Sequence, residues 1–89
     1  MNPSPEQQDK MIKRLARIEG QLRGVQKLLH DGQDCEKILQ QMTASRKALD
    51  KAFFEMISCL VEVCVLDPQV AGTAEQQVAE IRSLLSRYA

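Results

Sequence analysis

The sequence predicts an all-α fold, namely a three-helix protomer with a long central helix. Phe, Trp and Tyr make up only 3% of the 89 residues, whereas Ala, Leu, Gln, Glu and Lys are common, and this composition favours helix over sheet. Residues 35–66 contain neither Gly nor Pro, so nothing in that stretch interrupts a helix. We expect one domain, residues 1–89, near the size at which a lone hydrophobic core is barely sufficient. Oligomerisation would relieve that shortage.

The first helix is expected to run from residue 5 to about residue 29. Ser4 can cap it, Pro5 suits the first helical position, and Gln7 completes a capping box. Gly20 and Gly24, four residues apart, predict a close approach of another helix. The apolar residues of the first helix are alternately four and three positions apart, the spacing that lengthwise packing against another helix requires. They are Met11, Leu15, Ile18, Leu22, Val25 and Leu29.

The turn after the first helix and the bounds of the central helix also have local signals. Gly32 suits the left-handed position that follows a helix. Asp34 can cap the next helix, which puts Cys35 at its first position. That helix is expected to end near Asp67, because Pro68 disfavours helical geometry in the residue before it. A second capping box at residues 73–76 predicts a short third helix that ends near residue 88.

The central helix carries two apolar stripes, which implies two different packing partners. The first stripe consists of Ile38, Met42, Ala44 or Ser45, Leu49, Ala52, Met56 and Val63. The second consists of Leu39, Phe53, Ile57, Leu60 and Cys64.

Cys35 and Cys64 lie at opposite ends of this helix. They are 29 residues apart in sequence, so their backbones lie about 43 Å apart on a straight helix. A disulfide requires Cα atoms within about 7 Å. The two thiols can therefore meet only between chains. Two copies packed antiparallel about a two-fold axis near Leu49 would bring Cys35 to the partner's Cys64, in the self-complementary arrangement of a homodimer.

Charge and cysteine usage narrow the functional classes. The net charge is zero, but the charges are unevenly distributed along the chain, because residues 1–30 hold six basic and three acidic side chains. No stretch of 18 apolar residues and no signal peptide is present, so we expect a cytoplasmic protein without membrane contact. Three cysteines, an odd number, favour reduced thiols that serve chemistry or metal binding over a disulfide framework.

Three segments of the first two helices form a recognisable pattern. They are Arg-Leu-Ala-Arg-Ile-Glu-Gly-Gln-Leu-Arg-Gly-Val at 14–25, Asp-Cys at 34–35, and Ile-Leu-Gln-Gln-Met at 38–42. Together they resemble the copper-sensitive operon repressor (CsoR) family of transcriptional repressors. The resemblance covers residues 10–66. It implies a three-helix protomer, an antiparallel dimer and a dimer-of-dimers tetramer that binds operator DNA without a helix-turn-helix. Release from DNA would follow an event at an inter-subunit cysteine site.

The residues at that site distinguish the branches of the family. Copper(I)-sensing members have a Cys, His and Cys set; Cys35 and Cys64 match its cysteines, but Leu60 stands at the His position. Nickel and cobalt members need several His ligands, whereas this chain has only His30. Formaldehyde-responsive members use the same His position and an exposed N-terminal Pro, whereas here Asn precedes Pro3.

The pattern is most similar to the persulfide-sensing, CstR-like branch, which residues 44–49 also resemble. By this analogy a persulfide or polysulfide would modify one of the thiols Cys35 and Cys64, and the partner thiol would resolve it to an inter-subunit bridge. No cofactor is then required. The alternative is a copper(I) site made by Cys35 and Cys64, with Cys59 as a further sulfur ligand. Cys59, on another side of the helix from Cys64, also has a plain interpretation as a packing residue.

The resemblance assigns DNA binding to two basic groups, which would contact phosphates in a salt-dependent way. Their other interpretation is a solubilising charged surface. A thiol enzyme is the remaining alternative, but the chain has no C-x-x-C motif and no catalytic His or Asp arrangement. The predicted DNA-binding residues are Lys10, Lys13, Arg14, Arg17, Arg46, Lys47 and Lys51.

Overall fold

The computed structural model describes residues 2–66 and 72–88 and contains three helices. They are α1 (Pro5–His30), α2 (Cys35–Leu66) and α3 (Ala74–Tyr88). The predicted all-α fold and its element order are confirmed, with bounds that differ by about one residue. The predicted end of α2 at Asp67 and Pro68 lies outside the described residues.

Local polar contacts define the helix starts as the sequence predicted. The Ser4 hydroxyl accepts from the backbone N–H of Gln7 at 3.2 Å, while the Gln7 amide oxygen accepts from the backbone N–H of Ser4 at 2.8 Å. Thr73 and Gln76 repeat this reciprocal pair at the start of α3. At the turn between α1 and α2, Gly32 adopts φ +69°, a conformation that residues with a Cβ rarely adopt.

Helices α1 and α2 form an antiparallel hairpin. Gln7, near the start of α1, contacts Cys59 and Glu62 near the end of α2, and Arg14 pairs with Glu55. Ile18 and Val25 of α1 are buried, and so are Ser45 and Ala52 of α2. The first predicted stripe of α2 thus contributes part of its length to the core of the hairpin.

Helix α3 packs against the last third of α2, again antiparallel. Gln76 and Glu80 lie beside Cys64, whereas Leu84 and Tyr88 lie beside Ile57 and residues 60–61. The prediction that α2 packs against two different partners is confirmed, since α1 and α3 contact different faces of it.

The protomer is one helix layer thick. Its principal extents are 56 × 26 × 12 Å, and a helix with its side chains is about 10 Å across. Its radius of gyration is 17.6 Å, whereas a compact chain of this length would have about 12 Å. A single protomer therefore leaves much of its apolar surface uncovered.

Several residues predicted to pack against another helix are exposed in the protomer. Leu22 is 48% and Leu49 is 50% exposed, although both belong to predicted apolar stripes. Other exposed members of those stripes are Leu15, Leu29, Leu39, Met42 and Phe53. These side chains form apolar surfaces that the hairpin itself does not use.

The predicted close helix approach at Gly20 and Gly24 is wrong within the protomer. A Cβ added at either glycine would meet no atom within 4 Å. Both residues lie on the side of α1 away from α2, because Ile18 and Val25 supply the buried face. The i, i+4 spacing does place the two glycines on one helix face, but the hairpin uses another face.

Candidate basic groove and cysteine sites

A basic groove runs along the seam between α1 and α2, with a volume of about 770 Å³. The i, i+3, i+4, i+7 spacing of the α1 cations places them on one side of the helix. The antiparallel hairpin adds Lys51 of α2 to the same groove, with Glu55 beside it. The cations that line the groove are Lys10, Lys13, Arg14, Arg17 and Lys51.

Three of these cations are paired with carboxylates. Arg14 reaches Glu55 across the hairpin, with 2.9 Å between its guanidinium nitrogen and the carboxylate oxygen. Lys10 and Lys13 pair with acidic residues one turn earlier in α1, at 3.6 and 3.0 Å. Such solvent-exposed pairs are typically worth about 1 kcal/mol or less, so a phosphate can replace the carboxylate at small cost. Arg17 and Lys51 have no ion-pair partner in the part of the chain that the structure describes.

Arg46 and Lys47 do not line the groove, although the sequence grouped them with Lys51. Both are exposed on α2. Lys47 precedes Lys51 by one helical turn and so lies on the same side, whereas Arg46 is rotated away from Lys47 by about 100°. The structure thus brings together five of the seven predicted DNA-binding residues.

Cys35 lies exposed at the first position of α2. The Asp34 side chain fixes this start, because its carboxylate accepts from the backbone N–H of Lys37 at 2.8 Å. A reagent in solution can reach the thiol in the isolated protomer. The structure thus leaves the Cys35 thiol accessible, and its role as a sensing thiol stays a prediction.

Cys64 is only 1% exposed and lies where α3 covers the end of α2. It borders a cavity of about 260 Å³ that is also lined by the polar residues Gln76, Gln77 and Glu80. The two predicted sensing thiols therefore differ in access, and the structure does not bring them together within one chain. Because α2 is a single helix from Cys35 to Leu66, their separation stays near the roughly 43 Å of a straight helix.

Cys59 faces α1 and is 9% exposed. Its thiol donates to the amide oxygen of Gln7 at 3.2 Å, and the Gln7 amide nitrogen donates to Glu62 at 3.3 Å. Sequence reasoning missed this contact, since it identified Gln7 only as a capping residue. The available signal was the spacing of Glu55, Cys59 and Glu62, which places all three on one face of α2.

Within the described residues of one chain, the cysteines do not come together as a three-ligand site for copper(I). Across residues 2–66 and 72–88, no group of three His, Cys, Asp or Glu side chains is placed to hold a metal ion. Cys59 and Cys64 contact different helices, while the His30 side chain is 90% exposed next to Asp31. Thiolate sulfur remains the right ligand type for copper(I), so such a site would need cysteines from two chains.

Among the described helices, none combines the length and the apolar character that are needed to cross a membrane.

Comparison with known proteins assigns the chain to a family. Residues 7–87 match the family model described as metal-sensitive transcriptional repressor. The copper-sensing transcriptional repressor CsoR of Bacillus subtilis is 29% identical over 85 residues, which cover 96% of this chain and 84% of that protein.

Two solved structures share the fold. The nickel-responsive transcriptional regulator InrS superimposes with a TM-score of 0.80 and 32% identity, covering 91% of each chain. A variant of the formaldehyde-responsive regulator FrmR from Salmonella enterica serovar Typhimurium superimposes with a TM-score of 0.71 and 34% identity. The match covers 97% of this chain and 98% of the FrmR chain. With the family model matching nearly its whole length, the chain belongs to the CsoR family of metal-sensitive transcriptional repressors.

Proposed function

We propose that this protein is a cytoplasmic repressor that binds operator DNA through the basic groove and leaves it when Cys35 and the partner's Cys64 are bridged by reactive sulfur. The observation that carries DNA binding is the convergence of four α1 cations and Lys51 in one groove. Phosphate contacts from such a row give affinity that falls steeply with salt. Arg46 and Lys47 extend the contact outside the groove.

The sensing site requires a homodimer. The exposed apolar residues of α2 include Met42 and Leu49, and an antiparallel two-fold axis near Leu49 would cover them. The same axis brings Cys35 to the partner's Cys64 at both ends of the dimer. Two dimers would then assemble into the tetramer that the family resemblance implies.

The proposed chemistry proceeds in two balanced steps. The exposed Cys35 thiolate attacks the outer sulfur of a persulfide R–S–SH, forming a Cys35 persulfide and releasing the thiolate RS⁻. The partner's Cys64 thiolate then attacks the Cys35 sulfur, forming an inter-subunit disulfide and releasing hydrosulfide. Attack at the outer sulfur instead moves that sulfur to Cys64 and frees the Cys35 thiolate. A second persulfide then converts Cys35 to a persulfide again and releases RS⁻. The Cys64 persulfide attacks the Cys35 sulfur, which forms a trisulfide bridge and releases hydrosulfide. Since Cys64 is buried under α3, bridging requires α3 to move from the end of α2.

Non-reducing electrophoresis after polysulfide treatment tests the site. We expect a crosslinked dimer for the wild-type protein and for Cys59→Ser, which is the matched control. Cys35→Ser and Cys64→Ser should each abolish the crosslink. Its survival in either of these two variants would show that the assignment is wrong.

DNA binding is tested with a labelled duplex selected by the wild-type protein from a random-sequence pool. Arg17→Ala and Lys51→Ala should each weaken binding and lower the salt slope by about 0.9 for each phosphate that the variant no longer neutralises. Arg82→Ala, an exposed arginine on α3, is the matched control and should leave the slope unchanged. Polysulfide should release wild-type protein from this duplex but not Cys35→Ser.

Copper(I) sensing is the second candidate function. The similarity to the copper-sensing CsoR of Bacillus subtilis and the thiolate ligand type favour it. Leu60 at the family's His position opposes it. Tight copper(I) binding against a chelator such as bicinchoninate, with loss of DNA affinity at one equivalent, would replace the persulfide proposal. Mass spectrometry after each treatment distinguishes bound metal from added sulfur.

A further inference from the structure

The Gln7 side chain makes two contacts that a capping residue does not need. Its amide oxygen accepts from the Ser4 backbone N–H at 2.8 Å, which completes the capping box. The same oxygen accepts the Cys59 thiol at 3.2 Å, and the amide nitrogen donates to the Glu62 carboxylate at 3.3 Å. The Gln7 side chain therefore connects the first turn of α1 to the turn of α2 that contains Cys59 and Glu62.

These contacts lie between the two regions that the proposed function connects. On the α1 side, Lys10 follows Gln7 by one helical turn and lines both the basic groove and the smaller cavity next to Cys59. On the α2 side, Cys64 is only five residues after Cys59, about 7.5 Å along the helix. A displacement of this end of α2 therefore acts directly on Gln7.

We propose that Gln7 is a positioning residue that holds the first three turns of α1, and with them the groove cations Lys10, Lys13 and Arg14, at the distance from α2 that DNA binding requires. This role rests on the proposed function of the groove. Glu62 supplies the acceptor for the Gln7 amide nitrogen and Cys59 the donor to its oxygen. Movement of the end of α2 breaks these contacts and so lowers DNA affinity.

The substitution Gln7→Glu separates positioning from capping. Glu at this position completes a capping box as well as Gln does, and a negative charge in the first turn suits the helix dipole. However, Glu cannot donate to Glu62, and two carboxylates would face each other at hydrogen-bonding distance. Gln8→Glu is the matched control, because it adds the same charge at a neighbouring exposed position whose side-chain amide donates to the backbone carbonyl of Pro3.

Affinity for the selected duplex at fixed salt is the readout, with helicity followed by circular dichroism. We expect Gln7→Glu to bind about five- to tenfold more weakly than Gln8→Glu, at the lower end of an ordinary coupling between sites. The double variant Gln7→Glu/Glu62→Gln exchanges the two side chains, so that the amide at position 62 donates to the carboxylate at position 7. It should bind DNA within about twofold of the wild type. All variants should keep wild-type helicity.

Equal affinity of Gln7→Glu and Gln8→Glu, or failure of the double variant to restore binding, would overturn the positioning role. If Arg17→Ala and Lys51→Ala both bind like the wild type, the groove assignment itself fails and the positioning role with it. If those two variants bind weakly while Gln7→Glu matches its control, only the role of Gln7 is wrong.

Discussion

At the scale of single residues, the helix caps decide where the functional side chains lie. Asp34 accepts the Lys37 backbone N–H at 2.8 Å and so starts α2 at Cys35. If α2 began one turn later, Cys35 would lie in the loop, and a helix would no longer fix the spatial distance between Cys35 and Cys64. The proposed pairing of Cys35 with the partner's Cys64 therefore depends on this cap.

Asp34→Ala tests the cap. Loss of a capping side chain should lower the free energy of unfolding by about 1 kcal/mol, as measured by thermal or urea unfolding followed by circular dichroism. Asp50→Ala removes an exposed carboxylate from the middle of α2 that has no hydrogen bond or ion pair to the described residues, and it should change stability by less than about 0.5 kcal/mol. Equal losses for both variants would show that Asp34 does not stabilise the helix start.

Residue-scale features were predictable where their signals are local. The capping boxes at Ser4 and Thr73 and the left-handed turn at Gly32 follow from residues close together in sequence, and the structure confirms them. The contact of Gln7 with Cys59 joins residues 52 positions apart. It depends on the register of the hairpin, which no local pattern specifies.

At the scale of helices, the period of 3.6 residues predicts which side chains share a face but not what lies opposite. It correctly grouped the α1 cations, which line one groove. It could not show that Glu55 of α2 pairs with Arg14 there, nor that Lys51 enters the groove while Arg46 and Lys47 stay outside. Those outcomes depend on the rotation of one helix against the other.

Glu55→Gln should strengthen DNA binding. Removing its carboxylate frees Arg14 for phosphate and removes a negative charge from the groove, so we expect affinity to rise about two- to fivefold at low salt, the size of one exposed charge interaction. Glu36→Gln makes the same charge change at the exposed start of α2 and is the control. Titration of the labelled duplex by fluorescence anisotropy measures both, and equal effects would show that Glu55 does not compete with DNA.

At the scale of the whole molecule, the protomer is thin and leaves much of its apolar surface uncovered. With a smallest extent of 12 Å, the three described helices lie in one layer, without a second layer of helices over either side. The sequence predicted that a lone hydrophobic core would be barely sufficient for this chain, and the exposed Leu22, Leu49 and Phe54 agree with it. Which of these surfaces would form the proposed dimer is a property of two chains, so neither one sequence nor one protomer specifies it.

Leu49→Glu tests the proposed two-fold axis. Leu49 is 50% exposed, so the substitution should leave the helicity of the protomer nearly unchanged. In the dimer it would remove the newly buried half of two leucines, each worth about 1 kcal/mol, and place two carboxylates next to each other. We expect the dimer dissociation constant to rise at least about thirtyfold, measured by sedimentation velocity, and the polysulfide crosslink to disappear with it. Gln40→Glu, exposed on the same helix, should alter neither. If Leu49→Glu sediments with the mass of the wild-type protein, the dimer interface lies elsewhere. If the variant is monomeric but still forms the crosslink, the thiols react without the antiparallel pairing of α2.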